Sequence, residues 1–184
     1  MAWTLAGNPQ HLSVSTAATN QLIAWNFDPA MTNNPYPPGT GKCLAVRCYV
    51  DSPASVGHFY TYVITAGSGL ANCYIGLYSV AGSLLAQTAD ISTSLQATGN
   101  IVAPISGAAY AGLTKNQEIY LCLLIGSGTS PNFTSASPTA GVANLGLSSN
   151  YRWQTGGTAL TALPATFPTM GAGGAEPPFL AIGA

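Results

Sequence analysis

Residues 72–88 read NCYIGLYSVAGSLLAQT. Apolar and β-favouring residues stand on both sides of Ala81-Gly82, and glycine can adopt the positive φ that a tight hairpin turn requires. The stretch therefore predicts two antiparallel strands, 72–80 and 83–88. No segment of the chain sustains a helical period, so the sequence favours an all-β fold.

Several other segments have strand character. In residues 43–50 (CLAVRCYV), alternate positions are predicted to face the core, namely Leu44, Val46, Cys48 and Val50, while Cys43, Ala45, Arg47 and Tyr49 line the other face. Residues 118–125 are apolar on both faces, which is typical of a covered central strand. Further strands are predicted at 12–14, 21–27, 58–65, 99–105, 141–145, 151–154 and 179–182. Roughly eight to ten short strands fit a two-sheet antiparallel β-sandwich, jelly-roll-like in character.

Three segments rich in proline, glycine or small polar residues, 28–42, 126–141 and 155–178, are predicted to be long loops. Loops of this length inside a compact sandwich are usually functional or lie against another subunit. No internal repeat is evident. We therefore divide the chain into an N-terminal arm or strand with a proline-rich loop at 1–42, a candidate attachment segment, and a β-sandwich domain at 43–184.

Charged residues are scarce. The 184 residues include 4 basic and 5 acidic side chains, or 5% of the chain, whereas 47% are hydrophobic. An ordinary soluble domain carries about 25% charged residues, which keep it apart from its neighbours. Much of the surface is therefore expected to be covered by partner subunits. A net charge of −1 and scattered basic residues also argue against nucleic-acid binding.

Neither a signal peptide nor a membrane span is expected from the sequence. The N-terminus, MAWTLAGNPQ, lacks both a basic region and a continuous apolar region. The longest apolar run, Ile119 to Ile125, is far shorter than the ~20 residues that span a bilayer. We expect a soluble product of the cytoplasm in which it is made, with no membrane insertion.

The four cysteines, Cys43, Cys48, Cys73 and Cys122, form no C-x-x-C pair and do not cluster with histidine at the spacing of a zinc site. They are expected to be small, buried and unpaired thiols, and no metal or other cofactor is expected. The alternative is a disulfide between strands, joining Cys48 to Cys73 or Cys122. Cys43 and Cys48 point to opposite faces of one strand and cannot bond to each other.

No catalytic motif stands out. Residues 37–43 (PPGTGKC) resemble the end of a phosphate-binding loop but lack its first glycine and its final hydroxyl, so they are interpreted as a turn. His58 with Asp51 would be a conceivable base and orienting carboxylate, although a histidine without a catalytic role is the preferred interpretation. Paired glycosidase carboxylates have no support in the sequence. The chain is not expected to be an enzyme.

Aromatic residues are the candidates for contacts with a ligand or a subunit. Within 58–65, Tyr60 and Tyr62 share one strand face with Ile64. Exposed rings there would stack on sugars or anchor a subunit, and the alternative is that both tyrosines pack in the core. The opposite face, with Phe59 and Val63, is expected to pack in the core.

The candidate contact residues are Tyr36, Tyr151, Arg152 and Trp153. Tyr36 stands among prolines, and Tyr151 to Trp153 offer two rings and a guanidinium close to a Gly-Gly turn. Such rings stack on the apolar faces of sugars, while arginine bonds hydroxyl or carboxylate groups. In the alternative interpretation Trp153 is buried in the sandwich and Tyr36 lies against a neighbouring subunit.

Residues 73–90, CYIGLYSVAGSLLAQTAD, resemble a hairpin found in minor tail and tail-fibre proteins of actinobacteriophages. The segments that follow are similar to that family in the same order, and the likeness covers roughly residues 43 to 184. The similar segments are VAPI at 102–105, YAGLT at 110–114, the apolar run at 119–125, TSPNF at 129–133 and PPF at 177–179.

The resemblance implies a bacteriophage virion protein with a β-sandwich fold and no catalytic activity. It implies a tail-associated, minor tail or fibre-like module that binds a host-surface glycan, assembles in the host cytoplasm and contacts other virion proteins. Fibres and spikes of this kind are commonly threefold, so a homotrimer is expected. Family members usually carry the sandwich at the end of a longer chain, which favours as an alternative a capsid decoration or head-fibre protein.

Overall fold

The computed structural model describes residues 16–28, 34–135, 153–172 and 177–184. These residues form two one-turn 3-10 helices, Ala18–Asn20 and Ser94–Gln96, and short strands joined by turns. The strands are β1 (Ala24–Trp25), β2 (Asn34–Tyr36), β3 (Cys43–Tyr49), β4 (His58–Thr65), β5 (Ser68–Ser79), β6 (Leu84–Gln87), β7 (Gly99–Pro104), β8 (Glu118–Thr129), β9 (Asn132–Ser135), β10 (Trp153–Gly156), β11 (Met170–Ala172) and β12 (Ala181–Gly183).

The strands form two sheets in which neighbours run antiparallel. Sheet A has the order β1-β12-β4-β9-β2, and β7 pairs with the opposite edge of β4. Sheet B has the order β11-β10-β3-β8-β5-β6. One hydrophobic core takes residues from both sheets, including Phe59 and Ile182 of sheet A and Leu44 and Leu121 of sheet B. The predicted all-β, two-sheet antiparallel sandwich is confirmed.

Alternation along the strands decides which side chains enter this core. In β3, Leu44, Val46 and Cys48 face inward, whereas Cys43 and Ala45 face away, as the sequence predicted. In β8 both faces are buried, as expected of a central strand. In β4, Phe59 and Val63 are fully buried and Tyr60, Tyr62 and Ile64 are not.

The predicted hairpin is present. β5 and β6 pair through a turn in which Gly82 has a φ of +83°, and β5 begins at Ser68, earlier than predicted. An irregularity lies between Ser68 and Ala71, and Asn72 is left-handed, with a φ of +60°. The Asp90 carboxylate accepts hydrogen bonds there from the backbone N–H groups of Asn72 (3.1 Å) and Cys73 (3.0 Å). It also accepts bonds from the backbone N–H and hydroxyl of Ser92.

Residues 157–170 of the same chain, in the segment that was predicted to be a loop, cover part of the outer face of sheet B, while Tyr49 on that face is exposed. The covering segment is held by backbone bonds, from the Leu84 N–H to the Ala165 carbonyl (2.9 Å) and from the Phe167 N–H to the Gly82 carbonyl (2.8 Å). Its side chains close a second apolar cluster, which contains Cys43, Ala45, Tyr78, Tyr120, Cys122, Leu124 and Leu163, with Leu160, Phe167 and Met170 against it. The sequence suggested that this loop is functional or lies against another subunit, and the structure instead places 157–170 on its own sheet.

Two other predicted loops contain short strands. The segment 28–42 includes β2, and the segment 126–141 includes the end of β8 and all of β9. Because proline is rare in strands, its presence argued against a strand at β2. The structure accommodates Pro35 because β2 lies at an edge of sheet A. The strands predicted at 12–14 and 141–145 lie outside the described residues.

Part of the predicted N-terminal arm belongs to the sandwich. β1 pairs with β12, and β2 pairs with β9, so both strands that lie before residue 42 extend sheet A. The described portion of 1–42 is therefore built into the domain. Its role as an attachment segment remains a prediction.

The prediction of four unpaired thiols is wrong for two of them. Cys43 and Cys122 form a disulfide between β3 and β8, while Cys48 and Cys73 are free and buried. Cys43 and Cys122 both face outward from sheet B, with their Cα atoms 6.2 Å apart, a separation that a disulfide spans. The alternative disulfide considered from the sequence, from Cys48 to Cys73 or Cys122, is not formed, since Cys48 faces the core and is free.

Candidate functional site

The structure brings two of the four candidate contact residues together: Trp153 lies in the core and Tyr36 at its margin. Trp153 is fully buried, and it pairs in register with Val46, whose side chain also points inward. Tyr36 is half-buried, and its ring meets that of Trp153 edge to face, with centroids 6.1 Å apart. Tyr151 and Arg152 lie outside the described residues. Trp153 is therefore a packing residue, as in the alternative interpretation, and its ring is closed to a ligand.

The outer face of sheet A carries a different candidate site, a groove with a volume of about 740 Å³. We refer to it as the sheet A groove. Its lining comes from the segment before and within β1, from β4, β7 and β9, and from the residues that lead into β12. The lining residues are Asn20, Leu22, Trp25, Tyr60, Thr61, Tyr62, Asn100, Ile101, Val102, Thr134 and Phe179.

Strand register explains why distant residues line one groove. Trp25 pairs with Ala181, Ala181 with Tyr60, and Tyr60 with Val102, so these four side chains form a row across β1, β12, β4 and β7. Directly paired residues in an antiparallel sheet point to the same face. The adjacent row, Ala24, Ile182, Phe59 and Ala103, enters the core. The Trp25 row is therefore directed outward.

The floor of the groove is a junction between two strands. β12 and β9 pair with successive parts of the same edge of β4, and Thr61 lies between the two pairings. The Thr61 hydroxyl donates to the Phe179 carbonyl (2.8 Å), and the Phe179 N–H donates to the Thr134 carbonyl (2.8 Å). These bonds hold the strand ends in place and satisfy polar groups that would otherwise be left unpaired at the junction.

The rim of the groove is apolar and uncharged. Tyr62 is 41% exposed and Val102 is 54% exposed, and Ile64, at 39%, continues the same face of β4. None of the charged side chains in the described ranges lines the groove. Asn100, in register with Tyr62, is exposed, and within the described residues no hydrogen bond engages its amide. The groove can therefore present a ligand with aromatic rings for stacking and with an amide for hydrogen bonds, but with no charged side chain from the described ranges.

A smaller cleft of about 350 Å³ lies on the other side of Trp25 and contains charged residues. Arg47 pairs with Glu118 at 3.8 Å, and the Tyr49 hydroxyl donates to Glu118 Oε2 at 3.3 Å. Asp51 accepts a hydrogen bond from the Ala18 N–H (2.9 Å), and this bond is the main reason that the pKa of Asp51 is lowered. The charges of this cleft are thus already engaged within the protein.

The catalytic pairing considered from the sequence has little geometric support. His58 Nδ1 lies 2.9 Å from the Ala184 carbonyl oxygen, whereas the Asp51 carboxylate accepts from Ala18, so each has a different partner. Burial raises the pKa of Cys48, which keeps its thiol protonated and weakly nucleophilic. In the described part of the chain no group of three His, Cys, Asp or Glu side chains is placed to hold a metal ion. No helix there is long and apolar enough to cross a membrane.

Sequence reasoning found part of the sheet A groove. The alternation in 58–65 placed Tyr60 and Tyr62 on the face opposite Phe59 and left open whether that face packs in the core; the structure directs it outward. Local sequence did not place Trp25 and Val102 in the row of Tyr60, because that row forms only when β4 pairs with β7 and β12, and β12 pairs with β1. Comparison with protein-family models and with curated proteins finds no match to this chain. The geometry of the site and the sequence resemblance are therefore the basis for any functional proposal.

Proposed function

We propose that this chain is a structural protein of a bacteriophage virion, a tail-associated module of the minor tail or fibre type without catalytic activity. The observation that carries the proposal is the outer face of sheet A, where Tyr62, Ile64 and Val102 are exposed around an uncharged groove. Apolar surface of this kind on a folded domain marks an interaction site. In a virion, such a site contacts other virion proteins or the host surface.

Most of the segments that resemble tail proteins lie on paired strands of the two sheets, which supports the proposal. Residues 73–90 contain the β5–β6 hairpin, and 119–125 lie within β8, between β3 and β5. Residues 102–105 overlap β7, and 129–133 connect β8 to β9. The likeness therefore follows the hydrogen-bonded framework of the fold.

The proposal includes a homotrimer. A chain with 5% charged residues has few side chains that keep subunits apart, and threefold symmetry closes an assembly without an open end. Analytical ultracentrifugation at micromolar concentration is expected to give the mass of three chains. A stable monomer would contradict this part of the proposal.

Electron microscopy of labelled virions tests the location. A tagged copy of the chain, incorporated during assembly in the host cytoplasm, is expected to place gold label on the tail. Label on the head would replace the tail assignment with the alternative, a capsid decoration or head-fibre protein. Purified virions that contain no copy of the chain would refute both.

A further inference from the structure

We infer that the sheet A groove binds an uncharged oligosaccharide, with Trp25, Tyr60 and Tyr62 as the surfaces on which sugar rings stack. The inference rests on the proposed function, because it names the residues that would contact a host-surface glycan. It moves the binding face away from Tyr36 and Trp153, whose rings pack against each other at the edge of the core.

The spacing of the aromatic residues suits a sugar. Ala181 lies between Trp25 and Tyr60 in the outward row, so the backbones of the two aromatic residues are two strand spacings, about 10 Å, apart. Sugar rings present flat C–H faces to aromatic rings and direct their hydroxyl groups to the sides, so they use both the apolar and the polar character of tyrosine and tryptophan.

The ring of Tyr60 is held in position before a ligand arrives. A Cβ atom added at Gly183 would lie 2.9 Å from Tyr60 Cε2 and 3.3 Å from its hydroxyl oxygen, which shows that the ring lies directly over the β12 backbone. The His58 ring is a second neighbour of Tyr60, with centroids 6.3 Å apart. A ring that is already ordered loses little conformational entropy on binding.

The polar and electrostatic features of the groove select the class of glycan. The exposed amide of Asn100, beside Tyr62, can both donate to and accept from sugar hydroxyl groups. No charged side chain in the described ranges lines the groove, so a carboxylated, sulfated or phosphorylated sugar would lose hydration without gaining an ion pair. The groove therefore complements a neutral chain.

The size of the groove suits a short glycan. Its volume of about 740 Å³ lies within the range of roughly 300–1,000 Å³ that is typical of small-ligand sites.

Isothermal titration calorimetry of the full chain tests the inference, with neutral hexasaccharides of gluco, manno, galacto and arabino configuration and one uronic-acid hexasaccharide as probes. At least one neutral probe is expected to bind. Trp25→Ala and Tyr62→Ala are each expected to weaken binding about tenfold or more. Tyr49→Ala, which removes a 55% exposed tyrosine outside the groove, is the matched control and is expected to bind like wild type.

Tyr62 is on the rim of the groove, so Tyr62→Ala keeps the test decisive if Trp25→Ala fails to fold. Binding that neither variant weakens, or binding to the uronic-acid probe alone, would overturn the inference. Loss of self-association in Tyr62→Ala, seen by ultracentrifugation, would assign the groove to a subunit contact and would also overturn it. If no probe binds while labelled chain is present on virion tails, the groove assignment fails and the proposed virion role stands.

Discussion

Phe167→Ala tests whether residues 157–170 cover sheet B in solution as they do in the structure. The Phe167 ring stacks on Tyr78 with centroids 4.2 Å apart and meets Tyr120 edge to face at 5.7 Å. Each aromatic pair contributes about 0.5–1.5 kcal/mol beyond area burial. Half-burial of the side chain adds about 1 kcal/mol. The expected loss is therefore about 2–4 kcal/mol in the free energy of unfolding, or roughly 4–16 °C in Tm for a chain of this size.

Urea denaturation followed by tryptophan fluorescence measures this loss, since the fully buried Trp153 reports on the core. Phe167→Leu keeps apolar volume but removes the ring geometry, so it is expected to lose an intermediate amount. The control is Val80→Ala in the neighbouring hairpin turn, where the side chain is 62% exposed and the expected change is within about 0.5 kcal/mol. If Phe167→Ala loses no more than this control, residues 157–170 do not stabilise sheet B and our reasoning is refuted.

Three further predictions concern single sites. Burial alone would raise the pKa of Asp90, but hydrogen bonds from Ser92, Cys73 and Asn72 hold it below the ordinary value of 3.8. The ionised carboxylate therefore stabilises the fold. Because Asp90 is exposed, the advantage of wild type over Asp90→Ala should be only about 0.5–1 kcal/mol near neutral pH, and it should shrink in urea titrations well below pH 3.8. Gly126→Ala places a Cβ 2.7–2.8 Å from backbone oxygens of β5 and should cost about 1–3 kcal/mol in the same assay, whereas Gly171→Ala, with open space at that position, should cost little. Intact-mass measurement after alkylation of denatured, unreduced protein should add two labels, and four labels would contradict the disulfide.

The framework of the sandwich could be predicted from local sequence because short-range patterns determine it. The hairpin needed only a glycine turn between two β-favouring runs, and β3 needed only alternation. β8 was recognisable as central because both of its faces are apolar. Each of these signals lies within fewer than twenty residues, so no knowledge of distant pairing was required.

The sheet A groove could not be predicted in full because distant pairings build it. β1 is two residues long, too short for alternation to mark it, and it becomes part of sheet A by pairing with β12. That pairing joins residues that are more than 150 positions apart in the chain. Phe179 and Thr134 reach the floor of the groove for the same reason, since both flank a junction on β4. Local sequence therefore identified Tyr60 and Tyr62 but not the residues beside them.

The two outer faces of the sandwich show how a charge-poor chain can use apolar surface in two ways. Sheet B carries a cluster of its outward apolar residues beneath residues 157–170, so the chain itself buries that part of the face. Sheet A, in the described part of the chain, leaves Tyr62 and Val102 exposed around a groove whose floor is fixed by hydrogen bonds. A substitution that adds charge should therefore destabilise the protein at Leu163, which is buried beneath the covering segment. At Val102, which is 54% exposed on the rim of the groove, the same change should leave stability nearly unchanged and weaken the proposed glycan binding.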